Sequence, residues 1–173
     1  MSLSQVQMAV AIVVGLIATW SAMLIGISLL LPNQVGKSEY ILETETKSCF
    51  WKGLIMLLVL AFSFLLLYLP LPITKILGQV VLMLYFATLV VGSAGLAKLM
   101  GRRMSEMSGS RNSFANLVQG TIVYSLAMGF PYFGWFLFAP LTALYATGAG
   151  MQALWTKRRA VISRIDSVTP IEN

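Results

Sequence analysis

The chain has 173 residues, 58% of them apolar and only 10% charged, with a net charge of +6. An ordinary soluble domain carries about 25% charged residues, so this composition excludes a water-soluble globule and predicts an all-α, polytopic integral membrane protein. The basic residues lie in short clusters beside apolar runs, not on a soluble face. The positive charge therefore reads as membrane topology and argues against a nucleic-acid partner.

In chain order, the first apolar run covers residues 8–31 and ends at Pro32. Its flank, MSLSQVQ, lacks the positive charge of a signal peptide, and the run is too long for a signal-peptide core. It is expected to stay as a transmembrane helix, since roughly 20 apolar residues cross a bilayer core about 30 Å thick. The runs are continuous and do not alternate, which favours helices over a barrel.

A polar link, PNQVGKSEYILETETKSC, follows, and its Glu-rich centre suits a short interfacial helix. Cys49 is the only cysteine, which excludes an internal disulfide or a thiolate metal site. It reads as an inert interfacial thiol or as a palmitoylation site. The second segment, 53–69, stops at the PLP of residues 70–72, because proline withholds a donor and clashes with the preceding turn. The third, 73–97, runs into KLMGRR, and MSEMSGSRNS after it reads by composition as a solvated loop.

From Asn116 to Trp155 no ionisable side chain other than tyrosine occurs. As one helix this run would be about 60 Å long, which requires a tilt of about 60°, beyond the usual 0–40°. Splitting it at PYFG gives segments 114–130 and 134–155, with Pro131 and Gly134 supplying turn chemistry and Pro140 bending the returning helix. The fourth segment is short enough either to span or to re-enter.

Charge tests the split independently. Lys37, Lys47 and Lys52 flank the first link; Lys98, Arg102, Arg103 and Arg111 the second; Lys157, Arg158, Arg159 and Arg164 follow the last run. With five crossings these three groups fall on one side, opposite the uncharged N-terminus, and only Lys75 lies near a far-side tip. The positive-inside rule then predicts an N-terminus outside and a basic tail, 156–173, in the cytoplasm. The two Pro-turned units, CFWKGLIMLLVLAFSFLLLYLPLP and SFANLVQGTIVYSLAMGFPYFG, each lead into a long apolar leg and a basic cluster. They form a weak parallel repeat.

The order LLLPNQV, SCFWKGL, GLAKLMGRR, RNSFANLVQG and PYFGW with a glycine-rich last helix resembles the membrane domain of bacterial bactofilin-like, polymer-forming proteins and related stand-alone membrane proteins. The resemblance covers roughly residues 29–154. It implies a bacterial membrane scaffold or anchor and brings no catalytic residue. The chain departs from fused members in having no β-helical polymer-forming region.

Chemistry-bearing residues are sparse. There is no histidine, which removes the commonest general base, haem ligand and zinc ligand. The six acidic residues, Glu39, Glu43, Glu45, Glu106, Asp166 and Glu172, all lie in links or the tail. No catalytic residue, metal ligand or cofactor is expected. Lys75, near a helix end, can snorkel to the surface. Asn116 and Gln119, three residues apart, either bond a neighbouring helix or line a polar pathway in a re-entrant fourth segment.

Small residues give a clearer pattern. Gly15, Ala18, Ala22 and Gly26 form a ridge on the first helix, and Thr142, Ala146 and Gly150 recur every four residues on the last. Lipid gives helices no hydrophobic drive to associate, so such ridges mark close packing, within the chain or against another subunit. Trp20, Trp51, Trp135 and Trp155, with Tyr68 and Tyr132, read as an aromatic belt in preference to a ligand pocket. Arg102, Arg103, Lys157, Arg158 and Arg159 are expected at anionic lipid headgroups.

The expected function is a non-catalytic structural or accessory subunit packed against other membrane subunits in a bacterial inner-membrane complex, with an energy-converting complex as one setting. A small channel or carrier with a re-entrant polar segment, and a membrane anchor for bactofilin-type filaments, are the alternatives.

Overall fold

A computed structural model describes residues 3–68, 72–109, 112–130 and 132–155. Every secondary-structure element among them is helical: α1 (Leu3–Leu30), α2 (Pro32–Thr44), α3 (Thr46–Tyr68), α4 (Pro72–Ser108), α5 (Ser113–Gly129), a π-wound turn (Gly134–Phe138) and α6 (Ala139–Trp155). Three helices are long and apolar enough to cross a membrane, within Ser4–Leu30, Thr46–Tyr68 and Pro72–Met107. A fourth span is possible if α5 and the segment Gly134–Trp155 count as one broken span. The basic tail with Lys157, Arg158 and Arg159 lies outside the described residues, as do Pro70, Arg111 and Pro131.

Helix α4 is the centre of the fold and packs against each of the other five helices. Its 37 residues make a helix about 55 Å long, well beyond a bilayer core of about 30 Å. The stretch MSEMS, assigned to a loop on its polarity, continues this helix. Polarity does not break a helix, and Met and Glu are good helix formers. The break comes at Gly109, whose φ of 70° is the left-handed cap conformation and whose N–H donates to the Ser105 carbonyl at 2.9 Å.

Three seams of close backbone contact hold the core, and all follow one rule. Gly53 of α3 faces Gly148 of α6, Gly92 of α4 faces Gly150 of α6, and Gly101 of α4 faces Gly120 of α5. A Cβ placed on any of these glycines would strike the carbonyl of the residue four before its partner: Leu144 or Cys49, Ala146 or Thr88, Asn116 or Ala97. Each seam is thus reciprocal, with two backbones close enough for Cα–H to meet carbonyl oxygen.

The spacing of these glycines sets the order of the helices. Each residue advances a helix by 100°, so Gly92 and Gly101, nine residues apart, point to opposite sides of α4. One side takes α6 and the other α5. Gly148 and Gly150 likewise face nearly opposite sides of α6, which takes α3 on one and α4 on the other. Along the seams the order is α3–α6–α4–α5, while α3 also packs directly on α4; α2 lies across α4 and α6, and α1 against α4 and α5.

Hydroxyls add a few ties. Ser63 donates to the Gly78 carbonyl at 2.8 Å between α3 and α4, the Ser21 and Ser125 hydroxyls of α1 and α5 meet at 2.7 Å, and Tyr124 donates to Ser93 at 3.4 Å. Buried Thr121, Thr142 and Thr147 bond carbonyls of their own helices, so they sit in the seams without an unmet donor.

The second Pro-turned unit is not a closed hairpin. The chain breaks between Gly129 and Gly134, and α5 and the following segment bend by 106°, an open V with α4 between its arms. Pro140 explains the π winding before it. Having no N–H for the Phe136 carbonyl, and a ring that would crowd it, it is accommodated by a wider turn in which the Ala139 N–H reaches back to Gly134.

Stability in mild detergent should follow the seams. Gly92→Val is expected to lower stability by about 2 kcal/mol or more, because neither backbone can withdraw, whereas Gly15→Val, with nothing within 4 Å, should change it by less than about 0.5 kcal/mol. Thermal unfolding of the two purified variants measures the difference.

Candidate functional site

Two features stand out among the described residues: an ionic clamp at one end of the bundle and an apolar groove beside α1. The clamp grows from the link. Pro32 starts α2 at a position where its missing N–H costs nothing, and the helix buries Val35, Ser38, Glu39, Ile41 and Leu42. The polar link is therefore a docked helix with one face in the core. Residues 35, 38, 39 and 42 recur at helical spacing, so the face was readable once Glu39 is allowed to count as buried.

Glu39 is 7% exposed. Its carboxylate lies 3.1 Å from Lys98 Nζ and 3.4 Å from Arg102 Nε, both on α4. Arg102 also bonds Glu43 and approaches Glu106 at 3.9 Å. Glu39 and Glu43 are one turn apart on α2, as are Lys98 and Arg102 on α4, so matched i, i+4 pairs meet across the contact. A carboxylate this buried is tolerable only with such partners. Beside it, Gly95 leaves room for the buried Ser38 hydroxyl, which has no hydrogen-bond partner among the described residues.

Arg102, expected at lipid headgroups, is instead surrounded by carboxylates, while Arg103 is exposed. Cys49 is fully buried between α2 and α6, with Gln152 donating to its sulfur at 3.5 Å. It packs with Ile41, Leu42, Leu99 and Ala153 in one cluster, away from the surface that palmitoylation needs. The start of α3 and the ends of α4 and α6 therefore gather at the clamp end. The start of α5 joins them, since Asn116 packs its carbonyl on Gly101.

The small-residue ridges part company. Thr142, Ala146 and Gly150 are buried against α4. On α1, Gly15, Ala18 and Ala22 are exposed, Gly26 is half-buried, and a Cβ placed on either glycine would meet nothing within 4 Å. Residues facing the body, among them Ile17, Trp20 and Leu24, lie on the other side of the helix. Gln119 is exposed and Asn116 half-buried. No group of three or more His, Cys, Asp or Glu among the described residues is placed to hold a metal ion.

The groove, about 920 Å³, runs between α1, the end of α5 and the π-wound turn. Leu16, Trp20 and Met23 form one wall; Met128, Trp135 and Phe136 form the other. Tyr132 and Trp135, assigned to an aromatic belt, are thus also walls of a cavity, beside Phe136. Trp20 is not at a segment end at all. Sequence reading missed the groove because its walls are more than a hundred residues apart and only the open V brings them together.

Replacing Glu39 should be costly and replacing Glu106 should not. Glu39→Gln leaves Lys98 and Arg102 short of a buried anion and is expected to cost about 1–3 kcal/mol; Glu106→Gln, at an exposed 3.9 Å pair, should stay within about 0.5 kcal/mol. Hydrogen exchange of the 33–44 amides reads the loosening of α2 directly. No family model, curated protein or solved structure matches the chain, and the likeness to bactofilin-associated membrane domains rests on the sequence motifs alone.

Proposed function

We propose that the chain is a non-catalytic scaffold subunit of a bacterial inner-membrane complex, and that the outward face of α1 is where a partner's membrane helix packs. One contrast carries this reading. In the core seams every glycine meets a partner backbone, while Gly15 and Gly26 on α1 meet none. A glycine inside a helix costs about 1 kcal/mol relative to alanine, and without a close neighbour nothing within the chain offsets it. Packing a second backbone along Gly15, Ala18 and Ala22 restores the contact that small residues permit.

The non-catalytic part of the reading is supported by the lack of histidine and by the engagement of Glu39 and Glu43 with Lys98 and Arg102. Five crossings with the N-terminus outside are supported by the gathering of the clamp end. There the basic link, the KLMGRR region and the end of α6 come together, as the positive-inside rule requires of a cytoplasmic face.

Extraction in a gentle detergent followed by native mass measurement tests the scaffold. A partner or second copy should be retained by the wild type and lost from Gly15→Leu and Ala22→Leu at unchanged thermal stability. A strictly monomeric wild type overturns the reading. Topology has its own test: with Cys49 replaced by Ala, Phe133→Cys should react with an impermeant thiol reagent outside intact cells. Labelling only after lysis excludes the five-crossing arrangement.

A further inference from the structure

Where α3 begins, a small pocket of about 290 Å³ opens between its first two turns and α6. Thr46, Lys47, Phe50 and Trp51 line it from α3 and Tyr145 from α6, with the Phe50 and Tyr145 rings in contact, their centroids 5.9 Å apart. Thr46 already donates its hydroxyl to the Leu42 carbonyl at 3.0 Å. The Lys47 ammonium and the Tyr145 hydroxyl have no hydrogen-bond or ion-pair partner among the described residues. Glu45, the nearest acid in sequence, does not line the pocket. The pocket therefore presents a full positive charge, a phenolic donor and aromatic walls, which suit a group carrying negative charge and several acceptor oxygens.

The position of the pocket says what carries that group. Helix α3 has 23 residues, about 35 Å, close to the thickness of a bilayer core of about 30 Å, so its first turn lies at headgroup level. From Lys47 the same face of α3 continues through Trp51, Ile55, Leu58 and Phe62, in steps of four, four, three and four residues. These four apolar side chains are 54–66% exposed, so the chain itself leaves the strip uncovered. A polar pocket thus heads an apolar strip that runs toward the hydrocarbon. Free phosphate would meet only the pocket, whereas an anionic amphiphile meets both.

The charges at this end divide in the same way. Lys98 and Arg102 are taken up by Glu39 and Glu43 in the clamp, which leaves Lys47 to face outward. Basic pockets beside membrane helices are where anionic headgroups are held. We infer that this pocket binds an anionic phospholipid, its phosphate oxygens accepting from Lys47 Nζ and the Tyr145 hydroxyl and an acyl chain lying along Trp51, Ile55, Leu58 and Phe62.

The test adds phosphatidylglycerol or phosphatidylcholine, matched in acyl chains, to delipidated full-length protein in detergent and counts bound lipid by native mass measurement. One phosphatidylglycerol per chain should be retained at a concentration where phosphatidylcholine is not. Lys47→Gln, at an exposed position, should weaken phosphatidylglycerol binding about fivefold, the effect of one charge near the surface, and Tyr145→Phe about threefold. Lys37→Gln removes a charge from α2, outside the pocket, and should bind as the wild type does. Inorganic phosphate in large excess should not displace the lipid. Equal retention of the two lipids, unchanged binding in Lys47→Gln or Tyr145→Phe, an equal loss in Lys37→Gln, or displacement by inorganic phosphate overturns the assignment.

Discussion

Close approach of backbones is the constraint on which this structure rests. Within lipid, burying a leucine against another helix gains little over leaving it among acyl chains, so stability comes from packing that side chains would only obstruct. The three glycine seams meet that requirement along one row of helices. Everything else takes its place from the row: α2 crosses it at the charged end, α1 leans on it, and the break between Gly129 and Gly134 swings α6 away from α5 so that α4 can enter between them.

The clamp solves a different problem at the end of the same row. A helix as long as α4, about 55 Å, exceeds a bilayer core of about 30 Å, and its last turns carry the charge that such a core disfavours. Helix α2 covers that region with a mixed face: Val35, Ile41 and Leu42 are buried, and Glu39 reaches the two α4 cations. Buried ion pairs contribute little net stability compared with apolar packing, but they are intolerant of slippage. Paired carboxylates one turn apart, opposite paired cations one turn apart, fix where α2 lies along α4.

Much of this was legible in the sequence, and what was not has identifiable causes. The long helices follow from apolar runs, and the break at PYFG from length. The extension of α4 through MSEMS was hidden because composition reports solvent preference, whereas a helix ends only where the backbone is made to end, at Gly109. The ridge Thr142, Ala146, Gly150 was visible as a repeat within one helix. Gly53, Gly101 and Gly120 were not, since the seams they form exist only between helices. The groove was hidden for the same reason, and the aromatic residues that wall it look identical to a membrane belt until Trp20, well inside α1, is found among them.

The nine-residue interval between Gly92 and Gly101 has a consequence for how this chain can vary. Two and a half turns set α6 and α5 on opposite sides of α4, and one inserted or deleted residue in the interval would swing one neighbour through 100° relative to the other. Substitutions among lipid-facing positions leave that phase untouched, so side-chain identity can drift while length cannot. The interval works as a gauge: like the one between Gly148 and Gly150 on α6, it cannot gain or lose a single residue without opening a seam.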